Sequence, residues 1–201
     1  MTDAIRILVL ADTHLTESTL DRMPPEVWEM AADADLVLHA GDLVASVVLV
    51  ELASRAPAHA VLGNNDHALL PELPETLVLE LGGTTVAMVH DSGARTGRAR
   101  RMARLFPTAE VIVFGHSHDP LVERVPGGPM LVNPGSPVQR RRQPVHTVAW
   151  LGLAAGHEPT AELVEVGPFA AARHGTPSGV VERVRPGSGG GASRRRADRP
   201  R

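Results

Sequence analysis

The chain contains no cysteine, no lysine and no tyrosine. Without cysteine there are no disulfides, thiolate metal sites, iron–sulfur clusters or cysteine nucleophiles, so any metal must be held by nitrogen and oxygen. A GxSxG serine motif is also absent. With only three Phe and two Trp, the core must be aliphatic. Platforms for stacking nucleic-acid bases are scarce, which disfavours a single-strand binding module. No apolar run is long enough to span a bilayer. The opening "MTDA" passes straight into "IRILVLAD", without the pattern of a secretory signal. These features point to a cytoplasmic protein with no membrane partner.

What is present suffices for one domain: 201 residues, 43 % of them hydrophobic. The net charge of −3 hides an asymmetry. From Arg183 onward, seven Arg against one Asp make +6; before it, 13 Arg against 22 acids make −9. After Val166 the composition turns to Gly, Pro, Ser, Ala and Arg. Such a segment cannot bury enough apolar surface to order itself. The expected organisation is a domain over 1–166 and a disordered tail over 167–201.

Aliphatic runs and helical periods alternate in the first half. Strands are expected at 5–12, 35–42 and 58–66, and helices at 24–34 and 46–55. This order argues for parallel strands with crossover helices. Further on, "TLVLEL-GG-TTVAMVH" reads as a Gly-Gly hairpin. "GRARRMARLF" (97–106) reads as a helix with a solvated arginine face. "EVIVFGHSH" is a buried strand, "LVERV" and "MLVNPGS" another hairpin, and "HTVAWLGL" and "TAELVEV" close the domain. Here hairpins are expected to replace crossovers. The resulting α/β architecture is two sheets packed face to face with helices outside.

The polar residues gather at strand ends. Five aliphatic runs lead into Asp12-Thr13-His14, Gly41-Asp42, Gly63-Asn64-Asn65-Asp66, His90-Asp91 and Gly115-His116-Ser117-His118. Ligands of open α/β sheets bind beyond such ends. The i, i+2 spacing of Asp12 with His14, and of His116 with His118, would aim each pair to one side of extended backbone. The glycines allow sharp turns and close approach. Carboxylates and imidazoles crowded together need a cation. Their donor atoms suit Mn, Fe, Zn, Ni or Co. Seven ligands exceed what one such ion takes and match two ions sharing a carboxylate.

The series "DTH…HAGD…GNND…GHSH…NPGS" resembles the calcineurin-like metallophosphoesterases, most closely their small single-domain phosphodiesterase-type branch in bacteria and archaea. The resemblance covers about Ile5 to Val166. It implies a four-layer α/β/β/α sandwich with two mixed sheets, and hydrolysis of phosphoesters, above all phosphodiesters, by a metal-bound hydroxide. It places Asp12, His14 and His118 on one ion and Asn64, His90 and His116 on the other, with Asp42 bridging. Asp42, Asn64, His90 and His116 are the residues expected to carry the chemistry. Two divalent ions are implied, manganese first, with Ni, Fe, Zn or Co as alternatives.

Two positions depart from the wider family. Asn65 stands where many members have a histidine thought to protonate the leaving group, although the small branch commonly lacks it. Asp91 stands where a glycine is usual. Asn65 and Arg140 are the candidate substrate contacts, Arg140 because a loop arginine facing the metals would grip a phosphate. His39 is expected to be a core histidine or to support a ligand. A tight turn is the favoured reading of "NPGS", with shaping of the site's rim as the alternative. The expected partner is a small phosphoester; nucleic acid is not favoured, and the sequence does not reveal the oligomeric state. Two alternatives are a catalytically weak interaction scaffold, as in a retromer subunit of this fold, and a nuclease aided by the basic tail.

Overall fold

A computed structural model describes residues 4–167. The tail expected over 167–201 lies outside the described residues apart from Gly167.

Strands β1 (Ile5–Leu10), β2 (Leu36–His39) and β3 (Ala58–Ala60) pair in parallel, linked by helices α1 (Pro25–Ala32) and α2 (Ser46–Ala53). Proline at the first position of α1 presets the helical φ where no N–H partner is needed. The second sheet contains β4 (Thr76–Leu81), β5 (Thr84–Val89), β6 (Val111–Val113), β7 (Leu121–Arg124) and β8 (Met130–Asn133), in the order β4-β5-β6-β8-β7. Strands β9 (His146–Leu153) and β10 (Thr160–Val166) return to the first sheet and complete the order β10-β9-β1-β2-β3. Helix α3 (Arg98–Leu105) joins β5 to β6.

The period-two alternation of the strands creates the layers. Ile7 and Val9 of β1 face Val111 and Val113 of β6 across the space between the sheets. Leu8 and Leu10 point the other way, onto Val27 of α1 and Val48 and Leu52 of α2. Ile112 and Phe114 point outward from the second sheet onto Met102 and Phe106 around α3. The molecule is thus a four-layer α/β/β/α sandwich, and every layer boundary is an aliphatic or phenylalanine contact. Packing explains why α2 forms despite its β-branched valines: Val48 and Leu52 are buried.

Three features differ from the sequence reading. The second sheet is not built from hairpins alone, because β5, β6 and β8 run parallel, with α3 crossing between the first two. The strands are shorter than the aliphatic runs suggest: β3 ends at Ala60 and β6 at Val113, because the backbone leaves extended geometry before the polar residues. The arginine face of α3 is not wholly solvated. Arg101 donates to the carbonyls of Ser92 and Ala94, and Arg98 lies over the Phe114 ring at 4.9 Å. No helix among the described residues is long and apolar enough to cross a membrane.

Candidate metal centre

The carboxyl ends of β1, β2 and β3 in one sheet and of β5, β6 and β8 in the other meet at one edge of the sandwich. The loops leaving them hold all seven predicted ligands. These loops are not extended. Asp12, His14, Asp42, His116 and His118 all have positive φ, between 48° and 66°. An L-residue in that region costs roughly 1–2 kcal/mol, with Asp and His among the better tolerated. The members of each i, i+2 pair are therefore placed by left-handed backbone, and not by alternation along a strand.

Backbone bonds hold the strained loops. Asp12 N–H donates to Gly41 O at 3.0 Å, His14 N–H to Asp42 O at 2.9 Å and Leu15 N–H to Leu43 O at 3.0 Å. The β1 and β2 loops thus stay zipped beyond the sheet. Close approach demands glycine at 63 and 115. A Cβ at Gly63 would stand 2.2 Å from Asp42 N, and one at Gly115 would stand 2.9 Å from Asp12 Oδ2.

Asp12 is fully buried, and its Oδ1 lies 3.2 Å from His118 Nε2 and 4.0 Å from His14 Nε2. One ligand atom from each of Asp12, His14 and His118 falls within 4.8 Å of the others, as do atoms from Asp12, Asp42 and His90. Asp42 Oδ2 stands 3.5 Å from Nε2 of His14 and 3.5 Å from Nε2 of His90. Asn64 Oδ1 lies 3.2 Å from His90 Nε2 and 2.8 Å from His116 Nδ1.

The second ring nitrogens decide what these contacts mean. His90 Nδ1–H donates to Ala40 O at 2.7 Å, and His118 Nδ1–H donates to Gln139 O. In the neutral rings, Nε2 of each is then a lone pair. Those lone pairs face carboxylate and amide oxygens, which are acceptors too. Asp12 Oδ2 is buried with no partner at all. Acceptor against acceptor is repulsive unless a proton or a metal ion lies between. A divalent cation bound by N and O therefore fits this donor set.

Protonation follows the same logic. Burial opposes charge on His90, but hydrogen bonds with Asp42 and Ala40 outweigh it and raise its pKa. Burial also opposes ionisation of Asp42, yet contacts with His90 and Asn65 hold its carboxyl well below the ordinary range. Both shifts favour a protonated His90 against an ionised Asp42 in the metal-free chain, and a metal would displace that proton. Burial lowers the pKa of His14; Asp42 and Asp12 oppose this, and His118 and Arg141 add to it.

The candidate substrate contacts make hydrogen bonds within the protein. Asn65 spends its donors on Asp42: N–H to Oδ1 at 2.8 Å, Nδ2–H to Oδ2 at 2.7 Å. Arg140 folds its guanidinium onto Gln143 O at 2.6 Å, whereas Arg141 reaches His116 O at 3.1 Å. Asp91 accepts from Gly93 N–H at 2.6 Å and closes a turn. His39 is buried, 3.1 Å from Thr13 Oγ1, with its pKa lowered to about 4 by burial.

"NPGS" is more than a turn. Ser136 Oγ–H donates to Asp12 O at 2.7 Å, and Asn133 Nδ2–H donates to Gly115 O at 3.0 Å. This buried strap ties the β1 and β6 loops together. Asp66, given no role in the sequence reading, accepts from three backbone N–H groups: Asp42 at 2.8 Å, Val44 at 2.7 Å and Gly63 at 2.7 Å. Its place in the "GNND" block was the available signal.

The fold and this cluster define a metal-binding α/β sandwich protein. The chain belongs to the calcineurin-like phosphoesterase superfamily, whose domain model matches residues 5–156. A probable metallophosphoesterase of Methanothermobacter thermautotrophicus is 32 % identical over 135 residues, 66 % of this chain and 77 % of that protein. Vacuolar Protein Sorting 29 from Cryptosporidium parvum shares the fold with a TM-score of 0.69 and 18 % identity, over 81 % of this chain and 92 % of that one. An archaeal phosphodiesterase shares it with a TM-score of 0.61 and 22 % identity, over 80 % of this chain and all of that one.

Proposed function

We propose that this protein hydrolyses phosphoesters, phosphodiesters above all, with water as the nucleophile and two divalent cations as cofactors. One observation carries the reading. Asp42 Oδ2 is equally far from His14 and His90, one imidazole from each half of the cluster. That position suits a carboxylate shared by two ions.

Asp12, His14 and His118 would hold one ion, and Asn64, His90 and His116 the other, with Asp42 between. Bound there, divalent cations supply Lewis acidity, which polarises phosphoryl oxygens and lowers the pKa of water. The chain's own groups do the rest. Ala40 O and Gln139 O keep the protons of His90 and His118 on Nδ1, so that Nε2 stays available. Asn65 fixes both oxygens of Asp42. With no histidine at position 65 to protonate them, leaving groups that depart as stable anions are favoured. The nitrogen and oxygen donors suit Mn, Ni, Fe, Zn or Co; manganese is put first on the resemblance to the family. The archaeal phosphodiesterase of the same fold supports the diester preference.

The test is a panel of phosphomonoesters and phosphodiesters with protein stripped of metal and reloaded with Mn, Ni, Zn, Mg or Fe. Turnover of diesters is expected with Mn. Asp42→Asn and His116→Ala should each lower it by about a thousandfold or more while the fold survives. Near-normal rates in both variants would remove the metal-centre reading. Tight metal binding with no turnover across the panel would favour the interaction scaffold instead.

A further inference from the structure

Arg141 sits on the turn that follows the "NPGS" strap, exposed, with φ of +50°. An arginine gains nothing locally from a left-handed backbone, and strain of this kind concentrates at functional sites. The turn is pinned on both sides. Gln139 N–H donates to Ser136 Oγ at 2.8 Å, and Gln139 O accepts from His118. Gln143 Nε2–H donates to Asp119 Oδ1 at 3.2 Å. The left-handed residue between these anchors is presented to the metal centre.

Its guanidinium uses one Nη–H for His116 O at 3.1 Å. Among the described residues it has no carboxylate partner; the arginine ion pairs there are Arg55–Glu51 and Arg124–Glu158. A permanent cation with unused fork donors, held on the backbone carbonyl of a candidate ligand, matches a phosphoryl oxyanion. Arg140, its neighbour, is folded away onto Gln143.

We propose that Arg141 is the substrate-anion contact of this site, its guanidinium taking a non-bridging phosphoryl oxygen beside His116. The proposal rests on the phosphoesterase reading. The competing explanation is a strut that only steadies the His116 carbonyl. Metal content separates the two, because losing a strut would loosen the ligand His116 and cost metal, whereas losing an anion contact would not.

The experiment compares wild type, Arg141→Gln, Arg141→Lys, Arg141→Ala and Arg142→Ala, all manganese-loaded. Inorganic phosphate binding is read by calorimetric titration, and KM and kcat on a chromogenic phosphodiester. Metal content is read by elemental analysis. For Arg141→Gln and Arg141→Ala, phosphate affinity should fall and KM rise by about ten- to a hundredfold, the scale of a charged hydrogen bond. Metal content should stay equal, Arg141→Lys should recover part of the loss, and Arg142→Ala should match wild type. Wild-type phosphate affinity in Arg141→Gln overturns the proposal, as does a wild type that binds no phosphate. If no ester is turned over but phosphate binding still depends on Arg141, the hydrolysis reading fails and the anion contact stands.

Discussion

Asn65 grips Asp42 with two donors, its backbone N–H on Oδ1 at 2.8 Å and its side-chain Nδ2–H on Oδ2 at 2.7 Å. The position where many relatives of this superfamily are expected to carry an acid for the leaving group is here a clamp on the central carboxylate. Asn65→Ala removes the Oδ2 donor and leaves the backbone bond. Metal affinity should fall about ten- to a hundredfold, the usual cost of losing a group that orients a ligand. Asn65→Asp, which adds a negative charge beside Asp42, should raise the Asp42 pKa relative to wild type. Metal titrations at several pH values check both outcomes.

Asp66 is buried, and its carboxylate collects the backbone N–H groups of Asp42, Val44 and Gly63. Asp66→Ala leaves those donors without their acceptor. Stability should drop by about 3 kcal/mol, the upper range for charged hydrogen bonds, measured by urea unfolding of metal-free protein. Metal affinity should fall as well, because Asp42 and the left-handed loop around it lose their anchor. Asp66→Asn should give an intermediate result, since its amide accepts through one oxygen only.

His39 predicts a pH dependence. Its folded pKa is about 4, lowered by burial, against an ordinary value of 6.5. Between those values the unfolded chain takes up the proton and the folded chain does not. This group therefore leaves stability intact above about pH 6.5 and removes it progressively as pH falls toward 4. Asp42, whose pKa is depressed, adds its loss at lower pH still. Thermal midpoints of metal-free protein should fall across pH 6.5 to 4, and His39→Gln should flatten that part of the curve. An identical slope in the variant would assign the loss to other groups.

Much of the fold was legible because its signals are local. The run "IRILVLAD" alternates faces as any buried strand does, and the Gly-Gly pair at 82 and 83 adopts the positive φ that a tight hairpin needs. Strand ends were less legible. β6 stops at Val113, although apolar residues continue to Phe114, because His116 must enter a left-handed loop.

The identities of the donors at the site were determined by the sequence alone: Asp, Asn and His after aliphatic strands, with glycine before several of them and no cysteine. Side-chain chemistry and strand periodicity are properties of short stretches, and they survive without a partner. Tertiary structure decided the rest. It brought six loops from two sheets to one edge, turned five ligands left-handed, and zipped the β1 loop to Gly41, Asp42 and Leu43. Through Ala40 O and Gln139 O it chose which ring nitrogen of His90 and His118 faces inward. It also made Asn65 and Asp66 supports of Asp42, and aimed Arg141, not Arg140, at His116. These choices depend on hydrogen-bond partners up to 50 residues away, and no local pattern encodes such a distance.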